Sequence, residues 1–545
     1  MKRIFAILLF ITATSYVLAA DSYKYWVQFT DKDSSLYALD DPSVYLSTKA
    51  VARRIKQNIP IDSTDLPVNE SYIDSVLLTG VSLHTKSKWL NGITISVTDT
   101  SLMQQIANLP FVQRIELTYI PNYLKKANTD AKNIPSKRVA QTNNGYGNAY
   151  AQINMHNGDW LHQAGFKGQG ITIAVLDVGY LHVNALSAFS QAFTNGQILG
   201  THDFVNPASD FYSTHEHGCQ VLSVMAAYDY NNYIGTAPEA SYWLFRSEDE
   251  LSEFPVEIDN MVAAFEFADS VGVDIVTSSL GYSNFNNPIM SYTYAQMDGL
   301  TSRASIAQRI ANRKGMIVLN SAGNEGAKPW HYITAPADAD SIITVGAVTE
   351  TLERSSFSGW GPTYDGRIKP TVCALGTNTA IITSDGNVSV NNGTSLACPI
   401  IAGLTACLWQ ALPDFTNAEI IDLIVKNGSQ FETPDNEIGF GIPDFYAAYT
   451  EGAGITKNLV FAQKDVKIYP NPAKTGVRIE LSTDIVDNYA KLSFVLINLS
   501  GRKVFTEKIK GSVTDIPLSR IRQGVYTILI QSGEQILYRE KLIKK

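Results

Sequence analysis

Cysteine is scarce, with four residues (Cys219, Cys373, Cys398, Cys407) in a chain of 545. That is too few to staple so long a fold, so a disulfide framework is excluded as its support. All four fall in one central region with mostly apolar neighbours. Buried thiols are expected, with one bridge as the alternative; three pairings are open if all four bridge. Positive charge is also in deficit. The 43 Lys and Arg against 52 Asp and Glu leave a net charge of −9, which argues against a general nucleic-acid binder. Long apolar runs are missing after the N-terminus, so no membrane span is expected in the mature form. Neither repeats nor low-complexity tracts occur.

What is present is globular: 45% hydrophobic and 17% charged residues, a length that suggests about three domains. The single apolar run follows Lys2 and Arg3, spans Ile4 to Ala20, is interrupted by Thr12, Thr14 and Ser15, and ends in Val17-Leu18-Ala19-Ala20. Residues 1–20 therefore read as a secretory signal peptide, with an uncleaved anchor as the alternative. Charge is uneven. From Val466 to Lys545 there are 14 Lys and Arg against 7 Asp and Glu, a net +7, leaving −16 for the rest. That split marks a separate C-terminal module.

Periodicity divides the chain further. In residues 21–121, strand-like Tyr23–Thr30, Gly92–Val97 and Phe111–Leu117 mix with helices near Val44–Ile55 and Ser101–Ala107, giving a small α+β domain. The basic residues Arg53, Arg54 and Lys56 read as a solvated helix face. Residues 122–147 are polar with little apolar periodicity, an exposed linker suited to proteolysis. From 148 to 452, continuous apolar runs (Ile171–Leu176, Tyr242–Phe245, Val273–Val276, Met316–Leu319, Ile342–Val348) alternate with helical stretches (His217–Tyr228, Glu257–Val271, Ala304–Arg313, Ser395–Gln410, Asn417–Val425). That alternation predicts an α/β fold with a central, mostly parallel sheet covered on both faces. Helices are expected to stop after Phe445. A linker follows at 453–465, and 466–545 reads as a small all-β sandwich.

Ser395 stands where the loop Asn391-Asn392-Gly393-Thr394 turns into a tightly apolar helix. A serine hydroxyl is a weak nucleophile, so chemistry there needs a base and oxyanion donors. Asp177 ends an apolar strand, where a buried carboxylate can orient an imidazole; the plain alternative is an Asp bonding the next turn. His217 opens a helix after Ser213-Thr214-His215-Glu216 and has the chemistry of a general base. His215, Glu216 and His217 lack the spacing of helical zinc sites. Asn324, in Gly323-Asn324-Glu325-Gly326, can donate an amide hydrogen bond to an oxyanion, though such a tetrapeptide alone is often only a turn. Together they run in the order Asp, His, Ser, and Ala397 breaks the Gly-x-Ser-x-Gly pattern of α/β-hydrolase esterases.

On these motifs the region from about Tyr146 to Tyr449 resembles the subtilisin-like serine peptidases, the subtilase family. The resemblance implies a three-layer fold, a triad of Asp177, His217 and Ser395, and an oxyanion hole of Asn324 with the Ser395 N–H. Ser279, Leu280 and Gly281, with Asn320, Ser321, Ala322 and Gly323, would line the primary specificity pocket and pair with an extended polypeptide substrate. The family's pattern is departed from at Val178, where a hydroxyl residue is usual, and at Cys219-Gln220, Leu396 and Cys398. None of these removes a triad or oxyanion group; altered packing and thiol sensitivity are expected. No cofactor is required for the chemistry. Structural calcium, common in the family, is left unassigned, because Asp229, Asn231 and Asn232 do not reproduce a site. Lys88-Trp89-Leu90-Asn91 and Leu109-Pro110-Phe111-Val112 resemble the propeptide of such enzymes from Bacteroidetes-type bacteria, implying an intramolecular chaperone and inhibitor. Ile468-Tyr469-Pro470-Asn471-Pro472 and Gly524-Val525-Tyr526 resemble a type IX secretion sorting domain, implying that machinery as partner and a secreted or cell-surface location. The expected activity is that of a secreted serine endopeptidase made as a zymogen. The alternative is an inactive subtilase-fold surface-binding protein.

Overall fold

The computed structural model describes residues 22–123, 145–454, 465–482, 485–486, 489, 491–497, 503–533 and 535–545. The expected signal peptide and most of the two expected linkers lie outside the described residues.

Seven strands form the central sheet: β5 (Thr172–Asp177), β6 (Ile198–Asp203), β7 (Ser241–Arg246), β8 (Ile275–Ser278), β9 (Ile317–Ser321), β10 (Ile343–Val348) and β11 (Val372–Leu375). Their order is β11-β10-β9-β8-β5-β7-β6, and every pairing is parallel. The reason is visible in β5, all of whose residues are buried. Ile173 and Val175 enter one core with the helices His217–Ala226 and Thr394–Ala411, while Ala174 and Leu176 enter another with Val256–Val271 and Arg303–Arg313. Strands apolar on both faces need helices on both, which gives three layers. The chain passes to one side of β5 for β6 and β7 and to the other for β8 to β11, so β5 is the topological switch point, where the carboxyl ends of the strands open a crevice. Thr394–Ala411 is long and apolar enough to cross a membrane, but 83% of it is buried inside the protein.

Before this body, β1 (Tyr23–Phe29), β2 (Ser82–Ser87), β3 (Gly92–Val97) and β4 (Val112–Tyr119) pair antiparallel in the order β2-β3-β1-β4. The helices here are α1 (Thr48–Lys56), α2 (Glu70–Leu77) and α3 (Leu102–Ala107). In the larger body, α4 is His217–Ala226, α5 Val256–Val271, α6 Arg303–Arg313 and α7 Thr394–Ala411. The N-terminal sheet rests on α5 and α6: Thr94 Oγ1 donates to Asp259 at 2.9 Å, and the N–H groups of Lys88 and Trp89 donate to Glu266 at 2.7 and 3.0 Å.

One expectation fails here. Arg53 and Arg54 are 6% and 1% exposed, so they do not form a solvated face. Arg54 reaches Asp65 at 2.6 Å and Asp269 of α5 at 2.8 Å; Arg53 pairs with the other Asp269 oxygen, Lys314 joins Asp65 at 2.7 Å, and Lys56 donates to Pro413 O. A basic helix face is buried when a second domain offers carboxylates, and sequence periodicity within one helix cannot show that.

At the C-terminus, strands Val466–Tyr469, Gly476–Leu481 and Val513–Pro517 form one antiparallel sheet. Lys503–Lys508, Leu492–Ile497, Gly524–Ser532 and Gln535–Lys544 form another, and a single apolar core joins them. One helix, Phe445–Gly452, extends past the point where helices were expected to end.

Candidate active site

Asp177 is the last residue of β5 and fully buried. Its Oδ1 accepts from Val178 N at 2.8 Å and lies 2.8 Å from His217 Nδ1. His217, the first residue of α4, presents Nε2 to Ser395 Oγ at 3.0 Å. Asp177 Oδ2 is buried and has no hydrogen-bond partner among the described residues. Burial opposes charge on the His217 ring, but the charge and hydrogen bond of Asp177 prevail and raise its pKa above the usual imidazole value. The row therefore favours a proton on the imidazole once Ser395 gives one up. His215 and Glu216 do not join it as metal ligands: His215 Nδ1 accepts the His217 N–H at 3.1 Å, and Glu216 accepts from Ser384 Oγ at 2.8 Å.

Ser395 lies in the first turn of α7, where backbone N–H groups have no intrahelical acceptor. Asn324, three residues past β9, is held by its oxygen, which accepts from Thr394 N and Thr394 Oγ1, each at 3.0 Å. That leaves the amide nitrogen to face the serine. A Cβ on Gly393 would stand 2.8 Å from Ser395 Oγ and 3.9 Å from Asn324 Nδ2, so only glycine leaves this space open.

Pro399 sits in the second turn of α7. There it withholds the N–H that would bond Ser395 O four residues back, a loss of about 3 kcal/mol in a helix interior. Ser279 Oγ supplies the missing donor, reaching Ser395 O at 2.9 Å. This link was not legible in sequence, although a proline four residues after the serine was its signal. Asn320 joins the two segments that were expected to form the pocket: its Nδ2 donates to Leu280 O at 3.1 Å and Ser321 O at 2.9 Å, and its oxygen accepts from Gln308 at 2.8 Å. Ser279–Gly281 follows β8 and Ala322–Gly323 follows β9, so both leave neighbouring strands at the edge that bears Asp177.

All four cysteines are free and buried. Cys219 faces Ile382 O and Cys398 faces Thr277 Oγ1, so the thiols nearest the site do not pair. Burial pushes both up to about 12, which favours the protonated thiol over the thiolate. In the loop considered for calcium, Asp229 accepts from Asn232 Nδ2 at 2.7 Å, and Asn232 O accepts from Asn148 N at 2.9 Å. These groups bond one another and do not fit a cage of six to eight oxygens.

A nucleophilic serine, an imidazole and a buried carboxylate in line at the switch point of a parallel sheet define a class of α/β proteins built for acyl-transfer chemistry. Residues 168–441 match the model of the subtilase family. The chain belongs to that family. Residues 24–135 match the peptidase S8 propeptide domain of Bacteroidota, and 467–545 match a secretion system C-terminal sorting domain, which marks the protein as secreted or displayed at the cell surface. Serine protease AprX of Bacillus subtilis (strain 168) is 29% identical over 292 residues, covering 48% of this chain and 62% of that protein. Subtilisin E of the same strain is 28% identical over 268 residues, covering 48% and 61%. The chain thus spans under two thirds of the length of either relative. Among solved structures, MycP1 from Mycobacterium smegmatis is 20% identical with a TM-score of 0.44, covering 58% of this chain and 89% of that one.

Proposed function

We propose that this chain is a serine endopeptidase, exported and made as a zymogen. The observation that carries the reading is His217 set between Asp177 at 2.8 Å and Ser395 at 3.0 Å. Ser395 Oγ attacks the substrate carbonyl while His217 Nε2 takes its proton. Asn324 Nδ2 and the Ser395 N–H stabilise the oxyanion, and His217 returns the proton to the leaving amine. Water then attacks the acyl-enzyme by the same route and frees Ser395. Ser279–Gly281 and Asn320–Gly323 flank an extended polypeptide. Residues 21–121 act as chaperone and inhibitor until cleavage within 122–147, and 466–545 engages the type IX secretion machinery.

Active-site titration of the processed protein with a fluorophosphonate tests this reading. One equivalent of labelled serine per chain is expected; no stoichiometric acylation means a binding protein instead. A pH profile adds a second check. Catalysis needs neutral His217, and the raised pKa puts loss of activity at higher pH than an ordinary imidazole would. The acid limb of kcat/KM should lie above about pH 6.5 and move down in Asp177→Asn. A limb that stays in place in that variant contradicts the coupling.

A further inference from the structure

Cys219-Gln220 stands out in the sequence as a departure from the family's pattern, and the triad chemistry makes no use of Gln220. Both residues lie in α4, which opens at His217. Glu216, just before the helix, and Cys219, Gln220 and Ser223 within it recur at spacings of three and four residues, so they share one face. That face is turned to the antiparallel hairpin of Thr379–Ile382 and Val388–Asn391, whose second strand ends four residues before Ser395. Glu216 accepts from Ser384 Oγ between the two strands at 2.8 Å, Ser223 Oγ accepts from Ile382 N at 3.0 Å, and Cys219 Sγ faces Ile382 O at 3.9 Å. The contact nearest Ser395 along the chain belongs to Gln220, whose Oε1 accepts from Asn391 Nδ2 at 2.9 Å. Gln220 is buried and Asn391 half-buried. Asn391 is held at its other end as well, because its Oδ1 accepts from Asn392 N at 2.8 Å.

The two reacting groups are anchored to different parts of the central sheet. His217 bonds Asp177 at the end of β5, and the next residue, Gly218, donates its N–H to Gly179 O at 2.9 Å. The chain around Ser395 is tied elsewhere: Gly393 N donates to Gly376 O at 2.9 Å just past β11, Thr394 bonds Asn324, and Ser395 O takes the Ser279 hydroxyl. Each set of bonds fixes one partner to the sheet, and the seating of α4 against the hairpin then sets the distance between them. Gln220 is one helical turn from His217 and Asn391 is four residues from Ser395, so their hydrogen bond spans the same gap as the catalytic contact of 3.0 Å. A misplacement of about 1 Å in a reacting pair can cost roughly 10²-fold in rate. We propose that Gln220 is a positioning residue: through Asn391 it holds Ser395 Oγ within reach of His217 Nε2 for the proton transfer that accompanies attack. The inference rests on the peptidase reading above. The bond acts on the reacting pair, so its loss lowers the rate within the bound complex and leaves binding in place.

The test follows modification of Ser395 by a fluorophosphonate in the processed full-length protein over a range of probe concentrations. Gln220→Leu, which keeps the bulk and loses the acceptor, should lower the saturating rate by about 10- to 100-fold and leave the half-saturating concentration unchanged. Asn391→Ala, at the half-exposed end of the bond, should do the same. The double variant should be no slower than the slower single one, as two ends of one contact require. Losses that multiply in the double variant overturn the proposal. So does a Gln220→Leu or Asn391→Ala protein that reacts at the wild-type rate, or one whose loss lies in the half-saturating concentration. If Gln220→Leu does not fold, Asn391→Ala decides by the same two numbers. A wild-type protein that takes up no probe overturns the peptidase reading itself, which distinguishes the two failures.

Discussion

Ser395→Ala should lower kcat by about 10⁶-fold, the scale on which a triad acting as one unit fails when its nucleophile is lost. The fold should survive. The substitution removes one oxygen at a site 8% exposed, alanine is the best helix former, and α7 is held by Leu396, Ala397, Ile400 and Ile401, none more than 1% exposed. His217 keeps its bond to Asp177. The variant should take up no fluorophosphonate and should accumulate with its propeptide uncleaved, as intact-mass spectrometry would show. Labelling at the wild-type level would sink the assignment of Ser395.

Asp269→Ala should loosen the propeptide from the peptidase body by about 3–5 kcal/mol, or roughly two to three and a half orders of magnitude in affinity. Asp269 is fully buried at the C-terminal end of α5 and holds Arg53 and Arg54 through separate oxygens, with Lys88 at 3.5 Å. Removing it leaves the buried Arg53 guanidinium without its carboxylate and Arg54 with Asp65 alone. Such a break is costly because the remaining charge, and not the lost contact alone, is left uncompensated. Dissociation of the cleaved propeptide, followed as recovery of activity after dilution, should be correspondingly faster. A variant that recovers at the wild-type rate would show that the buried pairs do not hold the two bodies together.

The residues with the strongest sequence signal are those whose chemistry is local. The strands of the central sheet were legible because both faces are buried, so β5, β7, β9 and β10 read as unbroken apolar runs within a residue or two of their observed ends. The shorter β11 and the less buried β6, with its Gly200 and His202, carry too little apolar signal and escaped notice. Asp177, His217, Asn324 and Ser395 were legible because each sits at a strand end or helix start, where motif and local structure coincide. The bonds from Ser279 to Ser395 and from Asn391 to Gln220 were not, because both depend on segments far apart in sequence. The burial of Arg53 and Arg54 escaped for the same reason: their partner Asp269 is more than 200 residues away.

Opposite charges meet along the seam between the propeptide and the peptidase body. Asp259, Glu266, Asp269 and Asp274 lie on one side, and Lys49, Arg53, Arg54 and Lys88 face them from the other, with Arg303 and Glu116, and Lys314 with Asp62 and Asp65, reversed in sign. Once the covalent link is cut, the encounter of the separated pieces is electrostatically steered, so its rate falls as ions shorten a Debye length of about 10 Å at 0.1 M. Departure is governed by dry, short-range pairs that salt barely reaches. Measuring the two rate constants across ionic strength reads this asymmetry directly, and a salt-insensitive association rate would refute it. On the proposed peptidase reading, the salinity of the surroundings then decides how often a released propeptide is recaptured, and with it how long the newly exported protein stays silent.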